Sequence, residues 1–280
     1  MRDVLISLLP AVAVGIYFYK LEALLIFAVT IAAGVLSELL WNKVVKGKLF
    51  LEDCSAIITS ILIALIMPSH IMPWVPAVGA VVAVILVKQC FGGLGQNFVN
   101  PAATAKIFII ASWAALLSDP MADVVSGASG YDYVPTIKEV FFGYAFGTIG
   151  EASILALILG GIYLIARGVI DGKATISYLA AVALFSIIIS KEGLMKGDAL
   201  NGLMQGNVFI VGIFMVNDFA TTPINTTGKI IFGFFCGLLT VLFKVLGSNS
   251  EGAYYAVMVM NLFSRMIESL TLPKARKEAV

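Results

Sequence analysis

The run VFIVGIFMVNDFATTPINTTG, residues 208–228, decides the fold class. Nine apolar residues, Val208 to Val216, are followed at once by Asn217 and Asp218, then by a Thr-rich stretch around Pro223 before the next apolar run begins near Lys229. A carboxylate directly behind such a run is costly in a membrane interior unless it is paired, coordinates an ion or faces water, which makes Asp218 a functional candidate. The plainer reading is an N-cap or a loop carboxylate at a membrane surface. An apolar segment interrupted by a polar break is also how discontinuous transporter helices are written in sequence.

The rest of the chain fits a membrane setting. Of 280 residues, 60% are hydrophobic and 12% charged, where soluble domains carry about 25% charged residues. Eighteen Lys and Arg against seventeen Asp and Glu leave a formal charge of +1, so no basic face suggests nucleic acid. Cys54, Cys90 and Cys236 are far apart and read as buried apolar packers, not as a metal site or redox dithiol. His70, alone in the Pro-rich turn Pro68 to Pro76, reads as a loop residue, and no metal site is expected. Residues 1–19 imitate a signal peptide, with Arg2 and a possible cleavage site at Ala11 to Ala13, but Tyr17, Phe18 and Tyr19 read as interfacial anchors of a first span.

The sequence predicts an all-α integral membrane protein with ten spans, at 3–19, 21–41, 54–67, 74–90, 98–117, 142–166, 174–190, 203–221, 229–246 and 252–270. With the N-terminus inside, Lys43, Lys46, Lys48, Lys88, Arg167, Lys173, Lys229, Lys274, Arg276 and Lys277 fall on cytoplasmic connections, as the positive-inside rule asks. The long connection 118–141 holds Asp119, Asp123, Asp132 and Glu139 against Lys138, so it faces outside; Lys191 and Lys196 are exceptions. Ten spans divide into two fives, and an odd number per half inverts the second. Pro68 precedes Lys88 and a Gly-rich turn; Pro223 precedes Lys244 and a Gly/Ser turn. The expected organisation is one membrane domain: a first inverted half, 1–117; an external loop, 118–141; and a second inverted half, 142–280, with interrupted helices and a ligand site between the halves.

The other polar break, GGLGQNFVNPA at 92–102, supplies that site with glycines for close backbone approach and Pro101 for a first helical turn. Asn97 and Asn100, three apart, are expected on one helix face, where two amides would read a flat heteroaromatic ring; the alternative is capping alone. Glu38, Lys106, Lys244 and Glu268 read as charges snorkelling from helix ends. Glu151, behind Gly147-Thr148-Ile149-Gly150, reads equally as a cap or as part of an ion path.

In the outward loop stands Asp123-Val124-Val125-Ser126-Gly127-Ala128-Ser129. The pattern D-x-x-[ST]-G-A-[ST] resembles the site where a flavin transferase joins the phosphate of FMN to the last hydroxyl residue. With it, and with Glu52 to Thr59, Gly92 to Ala102, Gly147 to Ser153, Met215 to Gly228 and Glu251 to Asn261, the chain resembles the RnfD subunits of Rnf complexes and, more distantly, the B subunits of sodium-translocating NADH:quinone reductases. That resemblance implies a subunit of an ion-translocating ferredoxin:NAD oxidoreductase, incomplete as an enzyme alone, in the prokaryotic cytoplasmic (inner) membrane with both termini cytoplasmic. It implies covalent FMN at Ser129, with Ser126, Gly127, Ala128 and Asp123 as the attachment motif, and noncovalent riboflavin near Asn97, Asn100, Asp218 and Thr222. It also implies as partners the other Rnf subunits, an extracytoplasmic flavin subunit among them, and a flavin transferase. The family's acceptor is usually Thr; Ser129 departs from it, though either hydroxyl forms a phosphoester. Asp218 and Glu151 are the candidate ion-path residues. Two other readings remain, a urea-like solute channel, whose architecture is similar but which has no use for the 126–129 loop, and a structural subunit that has lost its covalent flavin.

Overall fold

A computed structural model describes residues 1–45, 47, 53–117, 141–142, 147–190, 193–204, 207–247 and 251–272. The first helix, α1 (Arg2–Val45), is 44 residues with non-helical backbone at Lys20 (φ 50, ψ −121). Straight, it would measure about 66 Å against a hydrocarbon core of about 30 Å. It instead reverses at Lys20. Met1 and Val4 of the first leg line a cavity with Ser55, and Glu38 of the second leg shares Lys88 with that same Ser55. The two legs therefore run antiparallel, as expected for spans 3–19 and 21–41.

Next come α2 (Ser55–Leu65), α3 (Trp74–Val81), which runs on through a π-helical turn (Val82–Lys88) and a 3₁₀ turn (Gln89–Phe91), and α4 (Pro101–Leu117). A 3₁₀ turn (Ile149–Ala152) leads into α5 (Ile154–Ala166) and α6 (Lys173–Ile188). A small antiparallel hairpin, β1 (Ile189–Ser190) with β2 (Gly193–Leu194), and α7 (Ala199–Met204) follow. Then come α8 (Val208–Ile210), extended by a π-turn (Val211–Met215), α9 (Thr226–Leu246) and α10 (Gly252–Thr271). Among the described residues, three helical runs are long and apolar enough to cross a membrane, Arg2–Val45, Trp74–Phe91 and Thr226–Leu246; α2, α4, α5 and α6 are shorter apolar helices.

Several expected spans differ from what forms, among them 98–117, whose helix α4 has non-helical backbone at Trp113 (φ −140, ψ 47). The stretch 203–221 is not one helix: α7 runs to Met204, and α8 starts after its N-cap Asn207, which has left-handed backbone (φ 59). In the stretch 142–166 the 3₁₀ turn Ile149–Ala152 and α5 are separated by the extended Ser153, whose side chain caps α5 through the Ala156 amide. Of the three cysteines only Cys236 is buried; Cys90 is exposed and Cys54 half-buried, and none is paired among the described residues.

The short helices end inside the protein, and their end groups are met by specific partners. The Met67 carbonyl beyond α2 accepts from the Ile149 amide at 2.9 Å, Pro68 and Thr148 form an isolated bridge, and Lys106 donates to the Ile66 carbonyl at 2.9 Å. One end of the molecule joins Asp3 to Arg167, Lys173 to Thr226, Lys229 to Asp171 and Asn225 to Thr271. The other joins Met67 to Ile149, Thr148 to Asn207 and Lys244 to Gly202.

Helices meet through small residues, as membrane helices do. A Cβ on Gly160 of α5 would strike the Ser7 carbonyl of α1, and one on Gly237 of α9 would lie 2.7 Å from the Tyr178 carbonyl of α6. Gly160→Val is therefore expected to destabilise the fold by about 2 kcal/mol or more. Thermal unfolding in detergent checks this; a midpoint equal to wild type would contradict the packing.

Candidate functional site

The glycines of the first break adopt positive φ, at Gly92 (111°), Gly93 (98°) and Gly95 (81°), a conformation that L side chains rarely take. They fold the chain sharply between the end of the Trp74–Phe91 run and α4. Pro101 occupies the first position of α4, as expected. Asn97 and Asn100 both precede the helix, so they do not share a helix face. Asn97 donates to the Val99 carbonyl at 3.2 Å. Asn100 caps α4, its Oδ1 accepting from the Ala103 amide at 3.0 Å, and its Nδ2 donates to Asp218 Oδ2 at 3.2 Å. Capping and a contact across the chain are thus done by the two ends of one amide.

The second break closes on itself around Asp218. Its Oδ1 accepts from the Ala220 amide (3.3 Å) and its Oδ2 from the Thr221 hydroxyl (3.2 Å). Its main-chain carbonyl accepts from the amides of Thr221 and Thr222. Among the described residues no cation pairs with this carboxylate; its partners are all neutral donors. Thr222 is buried and its hydroxyl donates to the Val216 carbonyl at 2.7 Å, so it closes the end of the π-turn. Asn217 directs its amide nitrogen to the Gly212 and Ile213 carbonyls and to Thr175, satisfying groups that the π-turn leaves outside α-helical pairing.

Both breaks face one cavity of about 200 Å³. Asn97, Asn100, Asn217 and Asp218 line it on the polar side, with Ser55, Thr59 and Lys88; Ile58, Leu62, Leu94, Ile213, Phe214 and Phe219 are among its apolar walls. Met1, Val4, Val169 and Ile170 border it at the end where the N-terminus, the 167–172 loop and the second break meet. In that loop, partial burial pushes the Asp171 carboxyl up, but the hydrogen bond and charge of Lys229 outweigh this and hold it below its ordinary value.

Several charges sit where sequence reading does not put them. Lys88 is no loop cation: it is buried, donating to Glu38 Oε1 at 2.7 Å and to the Ser55 hydroxyl, with Asp53 at 3.7 Å and Gln89 on the same Glu38 oxygen. Lys106 does not snorkel; fully buried, it pairs with Glu251 Oε1 at 2.9 Å and lies 5.7 Å from the centre of the Tyr254 ring. Neither ion pair announces itself in a sequence, because the partners are 50 and 145 positions apart. Glu151 is a cap: its Oε2 accepts from the Thr148 amide (3.0 Å) and hydroxyl (3.2 Å) and its Oε1 from the Asn207 amide, joining the 3₁₀ turn to the start of α8. Asp123, Ser126, Gly127, Ala128 and Ser129 lie outside the described residues.

Removing Lys88 by Lys88→Met strands a buried carboxylate, and a loss of roughly 3 kcal/mol or more is expected. Lys88→Met combined with Glu38→Gln should recover much of it. Thermal midpoints of both variants in detergent read this; a single variant as stable as wild type would show that the pair carries no such weight.

The model of the NQR2, RnfD, RnfE family matches residues 1–277. The chain is 34% identical over 299 residues to the D subunit of the Na(+)-translocating ferredoxin:NAD(+) oxidoreductase complex of Acetobacterium woodii, covering 100% of this chain and 92% of that one. It is 30% identical to the D subunit of the proton-translocating ferredoxin:NAD(+) oxidoreductase complex of Clostridium ljungdahlii, over 98% of this chain and 89% of that one. To the B subunit of the Na(+)-translocating NADH-quinone reductase of Stutzerimonas stutzeri it is 30% identical, over 88% of this chain and 66% of that one.

Proposed function

Because the chain belongs to the NQR2, RnfD, RnfE family, we propose that it is the flavin-carrying membrane subunit of a redox-driven ion-translocating ferredoxin:NAD oxidoreductase complex. The observation that carries this reading is the Asn100–Asp218 hydrogen bond, which closes the two polar breaks around one cavity with amides and a carboxylate on one side and apolar walls on the other. Such a lining suits a flat heteroaromatic ring: Asn97 and Asn100 offer amides to its edge, and Leu62, Ile213 and Phe214 exclude water from its faces. Bound riboflavin supplies one- and two-electron redox chemistry, and the protein supplies position and a dry polar contact. Thr222 supports the site from behind by holding the carbonyl of Val216, the residue that caps the π-turn.

A second flavin, FMN, is proposed on Ser129 through a phosphoester, with Asp123, Ser126, Gly127 and Ala128 as the sequence a flavin transferase reads. The orientation proposed has both termini cytoplasmic in the prokaryotic inner membrane and the 118–141 loop outside. Arg167, Lys173 and Lys229 lie at the end of the molecule that also holds Asp3 and Thr271, which supports it. Two inverted halves, 1–117 and 142–280, are the proposed organisation, supported by the recurrence of a short helix, a break and a long helix in α2 with α3 and in α8 with α9. Asp218 and Glu151 are proposed along the ion path, and the other subunits of the complex supply and remove electrons.

Co-expression with a flavin transferase, followed by a denaturing gel, tests the attachment: in-gel flavin fluorescence is expected in wild type and Ser129→Thr and absent in Ser129→Ala. Fluorescence in Ser129→Thr alone would overturn attachment to Ser129. Asp218→Asn, in membrane vesicles carrying the complex, should lower ion movement per electron several-fold; unchanged pumping in both Asp218→Asn and Glu151→Gln would remove these residues from the path.

A further inference from the structure

Glu251, the N-cap of α10, and Tyr254 and Asn261 within it stand three and seven residues apart, spacings that place them along one side of the helix. Tyr254 is fully buried and Asn261 is 4% exposed. Glu251 engages Lys106 through Oε1. Its Oε2, the Tyr254 hydroxyl and both polar atoms of the Asn261 amide have no hydrogen-bond partner among the described residues. Val257 and Met260, between them on the helix, are buried apolar residues. Buried polar groups in folded proteins are almost always partnered, by protein or by ordered water, and four such atoms on one helix face ask for a common ligand.

We propose that this face of α10 binds a file of ordered water that delivers protons to the Glu251 carboxylate. Lys106 favours water over a metal cation. Its ammonium lies 2.9 Å from Glu251 Oε1 and over the Tyr254 ring, so a resident second cation would be repelled. A water can donate to Glu251 Oε2 and both donate and accept at Tyr254 and Asn261. The transfer is balanced as it stands: a hydronium O–H bond breaks, an O–H bond forms on Glu251 Oε2, and a neutral water remains. Lys106 then faces a neutral acid and keeps the Ile66 carbonyl as its acceptor. Among the described residues, Glu151, Tyr178 and Tyr255 are the other ionisable groups within electrostatic reach of this site.

The file is placed to communicate with the cavity. The π-turn Val211–Met215 packs against α10 and presents Ile213 and Phe214 to the cavity. A single element, already outside α-helical hydrogen-bond register, separates the two. The water file does not depend on the proposed function; its role in coupling rests on the translocase reading.

X-ray hydroxyl-radical footprinting of the purified complex tests the water directly, since radicals form at bound water inside proteins. Tyr178 is the internal control, equally buried but with its hydroxyl partnered to Thr240. Tyr254 should be oxidised several-fold faster than Tyr178. Equal, slow oxidation of both would overturn the file whether or not the complex pumps. Tyr254→Phe and Asn261→Leu should each lower ion movement per electron several-fold while electron transfer continues. A labelled Tyr254 with full coupling in both variants would overturn the proton route.

Discussion

A backbone group that leaves a helix inside an apolar interior must find another partner, and this protein is arranged around that requirement. Helix α2 stops after 11 residues, and the groups beyond it are met by the Ile149 amide and the Lys106 ammonium. Helix α8 starts at a left-handed Asn207 whose amide is taken by Glu151. Helix α4 starts at Asn100, which caps it. Each of the first two partners comes from a distant part of the chain, so ending the helices early ties the molecule together.

The same requirement builds the site. Polar side chains recruited to finish broken helices bring leftover hydrogen-bonding capacity with them. Asn100 needs only its oxygen for capping, and its amide nitrogen reaches Asp218. Lys106 needs one carbonyl and also holds Glu251. The two contacts cross between the parts of the chain before and after the 118–141 connection, one at the cavity and one against α10. The cavity between the two breaks and the buried pair of Lys106 with Glu251 thus have one structural origin.

Much of this is legible in sequence. Gly92 to Pro101 and Asn217 to Pro223 stand out because polar residues and helix breakers interrupt apolar runs, and both line the cavity with Asn97, Asn100 and Asp218 in place. The reversal at Lys20 is legible from the length of the apolar stretch. Other features are not. A lysine between apolar residues looks the same whether it reaches water or a carboxylate far along the chain, so the sequence alone makes a loop cation of Lys88 and snorkelling charges of Glu38 and Lys106. The division at Asn207 depends on a contact with Glu151, and the π-turns have no composition of their own. Spacing three fits Asn97 and Asn100 to one helix face; the positive φ of three glycines keeps Asn97 ahead of the helix.

The central claim is that the cavity closed by Asn100 and Asp218 holds a noncovalent flavin, and counting that flavin tests it most directly. The complex is purified, denatured, and the released flavin measured per chain, with protein-bound flavin counted separately. The account predicts one noncovalent equivalent attributable to this chain, lost in Asn100→Leu while covalent flavin and assembly of the complex are retained. Full retention of the noncovalent flavin in a correctly assembled Asn100→Leu complex would contradict it.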